Sequence, residues 1–209
     1  MLLLLAVAAD RVACYLAENT MASRIQQNGL PVKPHVSIEG FPFLTQLAAK
    51  DFNDVVISAS NVTEGSLTIA SINATLHGMH LIDGYSGARI DSLTGSALIK
   101  YSALTSAGGF PSGITLGPGT SSSQIKATVS VPVLGDQSVT AQVTREGTNK
   151  FNIKVVDADG VDSSFLGNLV NYTYDVPQLP AGMSIQSVSA TQQGVVITIT
   201  GHNTTLTQS

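Results

Sequence analysis

Two hydrophobic periods divide this chain. Over residues 8–27 no glycine or proline interrupts the run and Asn28-Gly29 supplies a stop, which predicts one long helix. Its apolar residues do not form one stripe. Val12 and Leu16 fall on one side, and Cys14, Met21 and Ile25 fall nearly opposite. A helix built this way touches protein or lipid on more than one side. Beyond Gln46 the period becomes two. Ile125, Ala127, Val129, Val131 and Val133 alternate with polar residues, and so do Val139, Ala141, Val143 and then Phe151, Ile153, Val155. This is an antiparallel meander with one apolar and one wet face. Further strands are expected at 32–38, 52–62, 67–81, 89–101, 183–190 and 195–201, and short helices at 101–107 and 164–170. Residues 108–123, rich in Gly, Pro and Ser, read as a loop, and residues 177–180 as an extended connector. The fold class is α+β: one domain with a long helix, two short ones, and about eight to ten antiparallel strands.

At the change of period stands Gly40-Phe41-Pro42-Phe43-Leu44-Thr45-Gln46. Pro42 fixes its own φ and disfavours helix at Phe41, so no helix enters from the left. After it, Phe43/Leu47 and Leu44/Ala48 fall four apart, which predicts a short helix over 43–50 with an apolar side. Such a segment either plugs one end of a β core or forms an apolar lip at a cavity mouth, and the two roles are compatible.

Composition narrows the function. Charged residues are 11% of the 209, apolar ones 43%, and net charge is −4, which describes a folded chain. With pI near 5.4 and no basic cluster, nucleic acid is excluded as a partner class, and so is a polybasic grip on anionic lipid. Cys14 is the sole cysteine, so no intrachain disulfide forms. Sequons stand at Asn61, Asn73, Asn171 and Asn203. Residues 1–9 are wholly apolar, yet a bilayer needs about 20 residues to span and a signal peptide needs a basic start. They read as the remnant of a signal or membrane anchor, ahead of a single domain over 10–209, the alternative being a native helix start buried in the fold.

Catalytic and metal-binding patterns are weak. His77-Gly-Met-His80 has zinc-like spacing for a helix, but in a strand the first and fourth residues face opposite sides. The run Asp157-Ala-Asp159-Gly160-Val-Asp162 lacks the ligands of a calcium loop and reads as a turn. Gly117-Pro-Gly119 is no phosphate loop, and no serine sits in a Gly-x-Ser-x-Gly elbow. The sequence therefore predicts no enzyme, no metal and no cofactor.

The order of these features resembles a family. A helix leads into His35-Val-Ser-Ile-Glu-Gly-Phe-Pro-Phe-Leu-Thr-Gln46. Leu179-Pro-x-Gly182, Gly194-Val-Val-Ile197 and Gly201-His-Asn203 follow late in the chain. Together they are similar to the actinobacterial LmeA-like phospholipid-binding proteins, over most of the chain from about Ala8 to Leu206. Lys50-Asp51 stands where members often carry glycine. The resemblance implies a tubular lipid-binding-like fold, a long helix against a highly curved antiparallel sheet. It also implies an exported protein of the periplasm or cell envelope, probing a membrane surface and supporting lipoglycan assembly beside an envelope glycosyltransferase.

Two functions follow as expectations. The first is a non-enzymatic phospholipid-binding or transfer protein. Its gate would be Phe41, Phe43, Leu44 and Leu47, and its lining Val12, Leu16, Val55, Ile57, Val129, Val131 and Ile153. The second is a structural or adhesive β-rich envelope module with a filled core, binding a protein or glycan through its surface.

Overall fold

A computed structural model describes residues 1–85, 87–108, 113–131, 135–157, 171–176, 179 and 182–207. Helix α1 runs Leu2–Gln27, beginning earlier than the period predicted, and the short helices α2 (Phe43–Ala49) and α3 (Tyr101–Ala107) lie where expected. Lys50 ends α2 in the left-handed region at φ +57°, a position where glycine is strain-free.

Eleven strands appear among the described residues, in two antiparallel sheets. The first has the order β1-β2-β3-β4-β11-β10: β1 His35–Ile38, β2 Asp51–Glu64, β3 Leu67–Ile82, β4 Gly87–Ile99, β10 Met183–Ala190 and β11 Val195–Thr207. It is strongly curled into a half-barrel. The second is the meander β5-β6-β7-β8-β9: β5 Ile114–Pro118, β6 Gln124–Val131, β7 Gly135–Glu146, β8 Lys150–Asp157 and β9 Asn171–Asp175. Strand β5 lies inside the stretch expected to be loop. It is an edge strand, where a proline such as Pro118 removes no inner hydrogen bond. The helix expected at 164–170 and the turn at 158–162 lie outside the described residues.

The curl has a local origin. Inward-facing residues of a regular strand recur every second position, but here four neighbouring strands bury residues three apart: Phe52 and Val55, Leu76 and Met79, Ile90 and Leu93, Gly201 and Thr204. Each strand carries one extra residue in the same row (Asn53, Gly78, Asp91, Asn203). Gly78 and Asn203 take left-handed φ of +62° and +48°. Extra residues of this kind bend a strand and sharpen its twist. A Cβ on Gly78 would also meet Asp91 Oδ2 at 2.5 Å. A second such row lies at Asn61 (φ +53°), where Val62 pairs Ile69 while Ala59 pairs Ile72.

Two cores pack the ends of the half-barrel. At one end α1 presents Cys14 and Ala22, with Met21 and Ile25, to Val36, Ile38, Phe43, Phe52, Val55, Leu76 and Ile90. At the other, α3 and the second sheet meet Ile99, Ile185, Val195 and Ile197, with Phe151 stacked on Tyr174 at 4.9 Å. Helix α1 also seals the open edge of β1. Glu18 Oε1 accepts the Ile38 N–H at 2.9 Å, and the Cys14 thiol donates to the Ile38 carbonyl at 3.8 Å. Burial first, then the Glu18 charge, push the Cys14 thiol up to about 11, so it remains a protonated donor.

Buried Asp10 ties α1 to α2. Its carboxylate accepts the Leu44 N–H at 2.8 Å and two guanidinium N–H groups of Arg11 at 2.6 and 3.1 Å. Burial alone would raise its pKa, but these donors outweigh it and hold the carboxyl below the usual range. A depressed carboxylate contributes stability above its unfolded value near about 3.9, and that stability fades as pH falls through the folded value. Asp10→Asn should therefore melt at a lower Tm than the parent chain at about pH 6, and the gap between the two should close as pH falls through the carboxyl's depressed folded value.

Candidate functional site

Between the two cores the inner face of the half-barrel is not filled. Along β3 the inward residues run Leu76, Ala74, Ile72, Ile69. Along β4 they run Leu93, Gly95, Ala97, and along β11 Gly201, Ile199, Ile197. The large members at each end belong to the packed cores, while between them Ala74 pairs with Gly95, and Ala97, the next inward residue of β4, pairs with Ile72. Small side chains in the centre of a curved wall leave space. The result is an open-sided trough of about 620 Å³, within the roughly 300–1,000 Å³ typical of ligand sites.

Its floor is Ile72, Ala74, Leu93, Gly95, Ala97 and Ile199. The end of α1 forms one wall through Asn28, Gly29, Leu30 and Pro31, and Val176 and Leu179 form another, with Met183 of β10. The lining is mostly apolar, and Glu64 is its only charged residue among those described. Among the described residues no lysine or arginine lines it, so they offer no cationic clamp for a phosphate there.

The residues expected to form gate and lining lie elsewhere. Phe43 is 1% exposed and faces Phe52 at a ring distance of 6.1 Å, so it plugs the α1-side core. Phe41 and Leu44, beside it, point to solvent, and Leu47 packs half-buried on that core. Val55 is fully buried there, and Ile57 flanks the trough floor as the cross-strand partner of Ala74. Val12 and Leu16 are exposed on the face of α1 turned away from the sheet. Ile153 sits in the second core and Val129 is half-buried in β6, while the side chain of Val131 lies outside the described set. The trough residues were not among the sequence candidates. The available signal was the pairing of small inward residues on adjacent strands, with Leu179 of the Leu-Pro-x-Gly stretch.

The histidine pair differs from expectation. Because Gly78 breaks the alternation, His77 and His80 share the outer face. His77 pairs with Asp54, and His80 lies 3.3 Å from Asp51 and 3.4 Å from Asp91. Among the described residues no cluster of three or more His, Cys, Asp or Glu is arranged to hold a metal ion.

The profile of a family described as LmeA-like phospholipid-binding matches residues 8–200. No curated protein and no solved structure matches the chain significantly.

An open trough makes a specific prediction about packing. A Cβ on Gly95 meets nothing nearer than 3.5 Å, and a longer side chain would extend over the hollow. Gly95→Leu should shift Tm by less than about 3 °C, whereas overpacking a filled site costs about 1–3 kcal/mol, several degrees in a domain of this size. Differential scanning calorimetry distinguishes the two outcomes.

Proposed function

We propose, from the chain's membership of the LmeA-like phospholipid-binding family, that the trough between the two cores holds the acyl portion of a phospholipid. The observation that carries this reading is the group of small inward residues, the cross-strand pair Ala74–Gly95 and the next inward residue Ala97, which leaves an apolar volume on the inner face of the half-barrel. Each methylene returned to water costs about 0.8 kcal/mol, so an acyl chain of about 16 carbons carries roughly 13 kcal/mol that a dry cover can offset. An adhesive module that works through its outer surface gains nothing from such a hollow.

The chemistry of the lining sets the selectivity. Apolar walls grip tails, and a single carboxylate with no cation gives no hold on a phosphate. The headgroup stays in solvent at the open side. This suits a carrier or holder that presents the polar end of its lipid to a second protein. The exported, envelope-facing location and service to an envelope glycosyltransferase in lipoglycan assembly extend the same reading, supported by the family resemblance. No step in it requires bond-making by this chain.

Purified protein incubated with vesicles of mixed phospholipids, re-isolated and extracted for mass spectrometry, should retain lipid with headgroup ratios close to those supplied. Combining Gly95→Leu with Ala74→Leu should lower retained lipid at least tenfold, since loss of cover for two methylenes is about 1.6 kcal/mol. Undiminished retention by that folded variant removes the trough as the site.

A further inference from the structure

We propose that the N-terminal end of α1 and the corner at residues 41–44 form a docking surface for bilayer hydrocarbon, and that it sets the trough at the far end of α1, away from the membrane. This does not depend on what occupies the trough.

The first nine residues carry no polar or charged side chain, and all are exposed, with Leu2 to Leu5 between 60 and 86%. The helix has begun by Leu2, so these side chains point in every direction around its axis. A partner protein or a second copy would cover one side of such a helix. Lipid solvates all of them at once, which is the environment an all-round apolar helix requires. At about 1.5 Å per residue these nine residues line roughly 13 Å of helix axis with apolar side chains.

The chain supplies a collar at the level where this segment meets the body. The first charged residues are Asp10 and Arg11. Asp10 is buried and bonded to the Leu44 N–H, so it turns no open carboxylate toward a bilayer. Arg11 lies over the Phe41 ring at 5.3 Å and reaches the Gly40 carbonyl at 3.5 Å. Phe41 and Leu44, both exposed, are thereby fixed beside the helix at this level. An arginine with an apolar stem among exposed large side chains is the arrangement that snorkels at an interface. Val12, Tyr15 and Leu16 continue the exposed apolar face up one side of α1, with a tyrosine suited to the headgroup level. The helix therefore enters tilted toward that side.

Two consequences follow. Attachment rests on hydrocarbon contact, because no cluster of lysine or arginine surrounds the collar, and anionic lipid should add little. The trough wall at Asn28–Pro31 lies 18 residues beyond Asp10, about 27 Å along the helix axis.

The full chain should float with vesicles of pure phosphatidylcholine, equally at low and high salt and equally with phosphatidylglycerol added. Leu3→Ser with Leu4→Ser should lower partitioning at least tenfold, and Phe41→Ser with Leu44→Ser about tenfold, both without change in Tm because all four side chains are exposed. The chain contains no tryptophan, so Leu44→Trp and Val156→Trp serve as single reporters on vesicles of brominated phosphatidylcholine. Quenching and a blue shift at Leu44→Trp, with neither at Val156→Trp on the second sheet, is the expected result. No flotation, equal quenching at both positions, or a concentration-dependent dimer in place of vesicle binding would overturn the proposal. Lipid retained in the trough is read separately by extraction, so either idea can fail alone.

Discussion

A sheet curled into a half-barrel has one inner face and too few side chains to cover it from end to end. That constraint governs this molecule. The inner face is closed at one end by α1 and α2 and at the other by α3 and the second sheet. Each closure is dense, with Phe43, Val55 and Ile90 at one end and Leu104, Ile125 and Ile185 at the other all at or below 1% exposure. The span between them has to be either filled by large residues or left hollow. The sequence places Ala74, Gly95 and Ala97 there. Everything inferred about lipid follows from those three small residues.

The curl depends on the extra residues that four strands carry in register. One isolated bulge would disrupt the ladder on each side of it. When neighbours share the irregularity, hydrogen bonding resumes on both sides, as the continued pairing of Phe52 with Met79, Met79 with Ile90 and Ile90 with Thr204 shows. The row also accounts for a short stretch that carried the family resemblance. Gly201-His202-Asn203 is where β11 makes its turn, with Asn203 in the left-handed region that asparagine tolerates better than most residues.

Much of the architecture was legible in the sequence. An uninterrupted polar–apolar helix before Asn28-Gly29, the change to period two, and the Phe-Pro-Phe break gave the fold class and most of the elements, although β9 was not foreseen and β11 runs six residues past its expected end. Strand β5 was hidden because Gly117 and Pro118 mark loops in general, and only its place at a sheet edge makes them harmless. The site was much less legible, for two reasons. Candidate lining was sought among large apolar residues such as Val55 and Ile153, and these fill the cores. A hollow forms where side chains are small, so composition at a position signals the opposite of what size suggests. Counting by twos also loses the face at each extra residue, which is why His77 and His80 came out on one side.

The seal between α1 and β1 carries one more implication. Glu18 and Cys14 satisfy both backbone groups of Ile38 on a strand whose other edge is already paired. Swinging the helix outward to admit a molecule would strip that edge bare and create a template for uncontrolled strand addition between neighbouring chains. Keeping the helix against β1 is thus a safeguard against clumping.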